Sequence, residues 1–219
     1  MSRPLLIDDC PSALVRAFSE KTYADAFLSE GRLRLRDIRE FREIDGARQD
    51  ETEGRAAFRV PGHVPAVAIE PRAGTMRSLG NQSGYFHVSH EFINPTYLFC
   101  AAGLVADLDF LRERFGRHLV LIHNPQKLFS AIHTFLEING FNGRALSFVE
   151  CFPVRYDKGD IQSWPNGDRR VRLSYGQKPA DYINEREYRC AVVLEGTRDG
   201  SHPWLDLSLS NPEMFCRAI

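Results

Sequence analysis

Long apolar runs are absent from this chain of 219 residues. No stretch reaches the roughly 18–20 consecutive apolar residues that a membrane-spanning helix needs. The segment that begins the chain carries Asp8 and Asp9 and has no apolar core, so it does not resemble a signal peptide. A content of 43% hydrophobic and 26% charged residues is that of an ordinary globular protein. We therefore expect a soluble, cytoplasmic protein without a membrane segment, and a single domain over residues 1–219.

Paired cysteines are absent as well. The five cysteines are odd in number, widely spaced and free of any Cys-x-x-Cys pair, which argues against a disulfide framework and against a zinc knuckle. His87 and His90 lie close together, but the zincin order His-Glu-x-x-His is missing and the alternation around them predicts a strand, not a helix. We therefore expect reduced thiols and no metal site.

Three motifs of nucleotide-binding and hydrolytic enzymes are also missing. The chain has no Gly-x-Gly-x-x-Gly after a first strand, no Gly-x-x-x-x-Gly-Lys-Ser/Thr and no Gly-x-Ser-x-Gly, so nothing supports a Rossmann, P-loop or α/β-hydrolase protein. Lysine is scarce, and nearly all of the 28 basic residues are arginine. Arginine favours bidentate contacts with carboxylates and phosphates, so local anion sites are compatible with the net charge of −1.

Hydrophobic periodicity predicts a mixture of strands and helices. Helical spacing runs from Lys21 to Gly31, from Asp107 to Phe115, and from Pro125 to a stop before Gly140. Apolar or alternating runs predict strands at 13–18, 33–35, 85–92, 97–102, 118–123, 146–156 and 204–209. This order of elements predicts an α+β fold with a mainly antiparallel, split or half-barrel β-sheet flanked by helices.

The stretch from Asp181 to Glu195 joins a charged half to an apolar half and contains the best candidate site. If it is one extended strand, the side chains of Glu185, Glu187 and Arg189 share a face because side chains repeat every two residues. Two carboxylates at this spacing could act on one substrate in different roles. The alternative is a solvated strand face on which these residues form cross-strand ion pairs.

Two further segments hold candidate residues. Arg16 lies inside the apolar run Ala13–Phe18, so its head either reaches water at a sheet edge or points into a cleft. The charged segment 39–54 contains Arg48, Asp50 and Glu53, in a polar loop of the kind that frames sites. The alternative for this segment is a solvated turn with local ion pairs.

A series of short motifs along most of the chain resembles an uncharacterised bacterial family linked to abortive phage infection and defence. The same layout resembles the ADP-ribosyltransferase superfamily, including the DNA-targeting toxins, in which an early strand carries an Arg or His and a late strand carries Glu, often as Glu-x-Glu, in a split sheet. The motifs are Arg16 with Tyr23, Phe41 before a charged Asp-Gly segment, Leu98–Ala101, Phe115–Ile122, and Lys178 ahead of Glu185–Arg189.

The resemblance implies an NAD-consuming enzyme. Transfer of ADP-ribose passes through a positively charged sugar, which a carboxylate stabilises, while a second carboxylate orients or deprotonates the acceptor. Glu187 would be the catalytic carboxylate and Glu185 the one on the acceptor side. The resemblance assigns NAD binding to Arg16, Tyr23 and Ser89, and the acceptor side to Arg48, Asp50, Glu53, Lys178 and Arg189.

The biological role implied is that of a bacterial toxin or phage-defence effector, whose acceptor is a protein or a nucleic acid and whose partner is a cognate antitoxin or a phage protein. Transfer and hydrolysis of NAD both stay open. One alternative is a nucleic-acid-acting protein with an arginine ridge, although intervening acids weaken that ridge. The other is a non-enzymatic interaction module for phage defence. The ridge comprises Arg32, Arg34, Arg36, Arg39 and Arg42.

Overall fold

The computed structural model describes residues 3–43, 55–61, 67–69, 76–78, 85–91, 94–157, 162–163, 176–197 and 202–219. For 42–43 and for the strands within 55–91 and 162–163, the description covers the backbone. The strands are β1 (Leu5–Ile7), β2 (Leu14–Phe18), β3 (Arg32–Asp37), β4 (Arg55–Pro61), β5 (Val67–Ile69), β6 (Met76–Ser78), β7 (Tyr85–Glu91), β8 (Thr96–Gly103), β9 (His118–Ile122), β10 (Leu146–Pro153), β11 (Gln162–Ser163), β12 (Glu187–Leu194), β13 (Trp204–Ser208) and β14 (Cys216–Ala218).

In the described part of the chain, nine strands form one sheet. Its main path runs β1-β10-β12-β8-β2-β9-β14, and β3 joins β13 to β8. The pairing of β1 with β10 is parallel, whereas the other pairs of this sheet are antiparallel. The predicted α+β class with a mostly antiparallel sheet is therefore confirmed.

Two smaller sheets come from the middle of the chain. Strands β11, β4 and β7 form one of them, and β5 pairs with β6 in the other. Strand β7 confirms the strand predicted around His87 and His90. Ser89, predicted to bind NAD, pairs with Ala57 in the three-stranded sheet, apart from the strand that carries Glu187.

The three longer helices begin and end where local signals predict. Helix α1 (Lys21–Glu30) stops at Gly31, whose φ of 63° is left-handed and suits glycine. Asp107 caps α3 (Leu108–Phe115) through its side chain, and Asn124 caps α4 (Pro125–Asn139). A short helix, α2 (Glu40–Glu43), begins the charged segment. None of the helices in the described ranges combines the length and apolarity needed to cross a lipid bilayer.

The main core lies between the sheet and helices α1 and α4. Phe27 from α1 and Phe129 from α4 are fully buried in one cluster with Phe99 of β8 and Val192 of β12. Burial of each such side chain stabilises the fold by about 1.5–3 kcal/mol. Strand β12 is buried along its whole length, as its apolar run predicts. The core therefore fixes the two central strands, β8 and β12, from which the site is built.

One edge of β8 is shared between two strands. At one end Gly103 and Ala102 pair with Leu14 and Val15 of β2, and at the other end Leu98 and Tyr97 pair with β3. We call the opening between β2 and β3, beside residues 99–101 of β8, the fork. Backbone groups at the fork need partners from side chains or solvent.

The stretch 181–195 is not one strand, which corrects the prediction. Residues Ala180–Glu185 form a 3₁₀-helix, Arg186 has a left-handed φ of 45°, and β12 begins only at Glu187. Pro179 precedes this turn and fixes the entering backbone, and Asp181 and Asn184 both favour turns. Glu185 and Glu187 therefore do not alternate along a common strand face.

Candidate functional site

Glu187 lies at the first position of β12 and is bonded on both carboxylate oxygens. Its Oε1 accepts a hydrogen bond of 2.8 Å from Nε of Arg189, and its Oε2 lies 2.7 Å from Nζ of Lys178. Glu187 is 8% exposed and Arg189 is fully buried. Two cations thus hold this carboxylate in one orientation within the protein.

Glu185 meets the same lysine from the end of the 3₁₀-helix. Nζ of Lys178 donates to Oε2 of Glu185 at 2.6 Å, and Nε of Arg114 in α3 donates to Oε1 at 3.2 Å. Lys178 therefore bridges the two carboxylates. The predicted association of Glu185 with Glu187 is present in space, although it comes from a turn and a shared cation and not from strand alternation.

The backbone around the carboxylates is held from three sides. The backbone N–H of Glu187 donates to the hydroxyl of Tyr156 at 2.6 Å, and its carbonyl accepts from the N–H of Val154 at 2.9 Å. The carbonyl of Arg186 accepts from the N–H of Gly103 at 2.9 Å. The left-handed turn at Arg186 is thus fixed to β8, which fixes both glutamates.

The two glutamates have opposite pKa shifts. Burial raises the pKa of Glu187, but the charges of Arg189 and Lys178 outweigh burial and hold that pKa well below its usual range. Burial raises the pKa of Glu185, and Lys178 offsets this only in part. Two neighbouring carboxylates whose pKa values are driven apart suit different proton-transfer roles.

Arg16 of β2 reaches into the fork. Of the two placements predicted for its side chain, at a sheet edge or in a cleft, the structure shows the cleft. Its Nη1 donates to the carbonyl oxygen of Cys100, which lies at the fork. Its Nε is buried without a hydrogen-bond partner in the described structure. The guanidinium carbon lies 5.2 Å from the ring centre of Phe99 and 5.8 Å from that of Phe18, which adds cation–π stabilisation.

A cleft of about 840 Å³ passes along the fork and brings these groups together. Its size is in the range of ligand pockets. Tyr23 of α1 lines it and is 58% exposed, so the predicted ring is accessible there. Of the predicted site residues, the cleft is lined by Arg16, Tyr23, Lys178, Glu185 and Glu187.

The other predicted site residues are not among the described residues that line the cleft. Arg189 is fully buried and donates to the carboxylate of Glu187, and its assignment to the acceptor side stays a prediction. Ser89 lies in β7, where the backbone alone is described. Arg48, Asp50 and Glu53 lie outside the described residues.

Sequence reasoning missed several residues that complete the site. In the sequence, Arg114 occupies an ordinary polar position of an amphipathic helix. In the structure it pairs with Glu185, and its guanidinium carbon lies 5.8 Å from the ring centre of Tyr182. Tyr156 carried no signal because its role depends on the turn at Arg186. Arg36 was assigned only to the arginine ridge, but it lines the cleft.

The arginine ridge is largely neutralised where the structure describes it. Arg34 makes two hydrogen bonds, of 2.6 and 2.8 Å, to the carboxylate of Asp206, and Arg32 lies 2.7 Å from Glu30. Arg39 lies 3.8 Å from Asp37. Pairing of this kind leaves little net charge for contacts with a phosphate backbone.

Comparison of the chain with protein-family models, with curated proteins and with solved structures gave no match. Within the described ranges, His, Cys, Asp and Glu side chains form no group of three that could hold a metal ion. What the site does is therefore inferred from its own residues and from their arrangement.

Proposed function

We propose that this chain is an NAD-consuming enzyme of the ADP-ribosyltransferase type. The observation that carries the proposal is Glu187, a buried carboxylate that Arg189 and Lys178 orient in the wall of a cleft that also contains Arg16 and Tyr23. Such a cleft offers a negative charge, a cation and an aromatic ring to one ligand. NAD has a positively charged nicotinamide, a diphosphate and flat rings that match them.

The reaction breaks the bond between the nicotinamide nitrogen and C1′ of its ribose. Nicotinamide leaves with the bonding electron pair, and positive charge develops on the sugar. Glu187 stabilises that charge. Water or an acceptor group then adds a lone pair to C1′ and gives up its proton, which Glu185 accepts, because burial has raised the pKa of Glu185 and made it a stronger base.

The biological role we propose is that of a bacterial toxin or phage-defence effector. It is supported by the resemblance of the segment from Lys178 to Arg189, which holds the carboxylate pair. A protein or nucleic acid would be the acceptor, and an antitoxin or phage protein the partner.

Induced expression in bacteria tests this role. Wild type should stop bacterial growth and deplete cellular NAD, whereas Glu187→Gln should do neither. Equal growth arrest by both would overturn it.

Calorimetric titration with NAD, with nicotinamide release followed on the same samples, tests the enzyme proposal. We expect wild type and Glu187→Gln to bind NAD, and wild type alone to release nicotinamide. Glu150→Gln is the matched control, because Glu150 is also 8% exposed but does not line the cleft. That control should release nicotinamide at the wild-type rate.

Two outcomes would overturn the proposal. If neither wild type nor Glu187→Gln binds NAD, recognition of a nucleic acid or of a protein partner becomes the better explanation. If Glu187→Gln releases nicotinamide as fast as wild type, the carboxylate has no catalytic role. Circular dichroism of each variant separates loss of activity from loss of fold.

A further inference from the structure

The described part of the cleft has two arginines whose roles the ion pairs do not explain. Among the described residues, the buried Nε of Arg16 has no hydrogen-bond partner, which is costly unless a ligand supplies an acceptor. Arg36 of β3 lines the same cleft, and among the described residues no acid forms an ion pair with it. The neighbouring arginines of the ridge do have acidic partners: Arg32 is paired with Glu30, and Arg34 is paired with Asp206.

Strand register places Arg36 on the face of the sheet that carries the catalytic carboxylate. Arg36 pairs with Leu98, and Glu187 pairs with Ala102. Directly opposed residues of antiparallel strands point to the same face, and residues 98, 100 and 102 of β8 alternate onto one face. Arg36 and Glu187 therefore flank β8 on a common face.

The separation of these residues is suitable for a dinucleotide. Four residues along β8 and two strand spacings across it put the Cα atoms of Arg36 and Glu187 about 16 Å apart. Both side chains extend into the cleft between them. Arg16 enters this space through the fork, at Cys100, which lies midway between Leu98 and Ala102 along β8. In NAD the diphosphate lies one ribose away from the bond that breaks.

We propose that Arg16 and Arg36 form a diphosphate-binding subsite, one arginine from each side of the fork. Two guanidinium groups on opposite walls each donate to one phosphate of the pair, so the subsite selects a diphosphate over a single phosphate. The subsite rests on the proposed function, in which NAD supplies the diphosphate. It can be tested apart from that function, because it predicts binding of an anion that is not turned over.

The proximity of the two cations supports the subsite. Burial lowers the pKa of Arg16 most, and the charge of Arg36 lowers it further, against the opposing influence of Glu187. Two cations held near each other repel unless an anion lies between them. A bound diphosphate relieves this repulsion and supplies the acceptor that the described residues do not offer to Nε of Arg16.

Calorimetric titration with inorganic pyrophosphate and with inorganic phosphate tests the subsite. We expect wild type to bind pyrophosphate at least about tenfold more tightly than phosphate, since a second charge-assisted contact contributes about that much. Arg36→Met should remove this preference. Arg32→Met is the matched control, because it lies on the same strand face but is paired with Glu30, and it should retain pyrophosphate binding within about twofold.

A conservative variant guards against a folding artefact. Arg36→Lys keeps the charge and loses the planar guanidinium, so it should bind pyrophosphate with an affinity between those of wild type and Arg36→Met. Equal weak binding of both anions by wild type, or equal effects of Arg36→Met and Arg32→Met, would overturn the subsite. Nicotinamide release separates the two proposals: pyrophosphate binding without release contradicts the enzyme alone, and release without a pyrophosphate preference contradicts the subsite alone.

Discussion

Nζ of Lys178 lies 2.7 Å from Oε2 of Glu187, and both residues are 8% exposed. The same nitrogen lies 2.6 Å from Glu185. One buried ammonium thus compensates two buried carboxylates. Its removal leaves both with fewer partners in a region where charge is poorly solvated.

Lys178→Met should therefore destabilise the fold strongly. Loss of one partner of a buried ion pair costs about 3–5 kcal/mol in the free energy of unfolding, which urea denaturation at neutral pH measures. Lys21→Met is the control, because its pair with Asp25 is exposed and contributes only about 0.3–0.5 kcal/mol. Similar small losses in both variants would show that the carboxylates do not depend on Lys178.

The opposite pKa shifts of the two glutamates predict opposite dependences of stability on pH. The pKa of Glu187 is depressed on folding, so its contribution is present above the ordinary value of 4.5 and is lost as the pH falls through the folded value. The pKa of Glu185 is raised, so its contribution is present below 4.5 and declines as the pH rises through the folded value.

Urea denaturation across the acidic and neutral range measures both effects. The stability difference between wild type and Glu187→Gln should shrink as the pH falls below 4.5. The difference between wild type and Glu185→Gln should instead fall as the pH rises above 4.5. Parallel curves for the two variants would contradict the arrangement in which the guanidinium of Arg189 is bonded to Glu187.

Gly31 ends α1 where the chain passes close to Leu209. A Cβ added there would lie 1.9 Å from the carbonyl oxygen of Leu209, and the φ of 63° is left-handed. Gly31→Ala should cost more than the roughly 1 kcal/mol of a left-handed alanine alone. Gly143→Ala is the control, since its φ of 74° is similar but nothing lies within 4 Å. Thermal denaturation of both should give the larger loss at Gly31.

Tyr23 tests whether an aromatic ring at the mouth of the cleft contacts NAD. An aromatic contact contributes about 0.5–1.5 kcal/mol, so Tyr23→Ala should weaken NAD binding by about two- to tenfold. Tyr23→Phe keeps the ring and should bind NAD like wild type in calorimetry. Because the side chain is 58% exposed, neither change should alter stability much. An unchanged dissociation constant in Tyr23→Ala would remove this residue from the site.

The fold class and most element boundaries could be predicted, because they depend on local signals. Alternation of Leu33 and Leu35 predicts β3, and Gly31 and Asp107 mark helix ends. The turn before Glu187 could not be predicted, since alternating charges also satisfy a strand pattern. Asp181 and Asn184 are turn formers and carry the information that distinguishes a turn from a strand, and the contact of Arg186 with Gly103 holds the turn in the folded protein.

Within the site, the sequence indicated the two glutamates, Arg16, Lys178 and Arg189, but it did not indicate Arg114 or Tyr156. Arg114 and Tyr156 reach the glutamates from elements distant in the chain, and no local pattern encodes such a contact. The complete burial of Arg189 could not be predicted either, because strand alternation does not distinguish a buried face from an open one. Tertiary packing determines the contacts of Arg114, Tyr156 and Arg189.

The arrangement of strands around β8 also determines when the site comes into existence. Strand β8 pairs with β2 and β3 from the beginning of the chain and with β12 from near its end. Contacts between segments so distant in sequence form late and slow the folding reaction. During synthesis, the sheet around the cleft is complete only after β12 has been translated and inserted between β8 and β10.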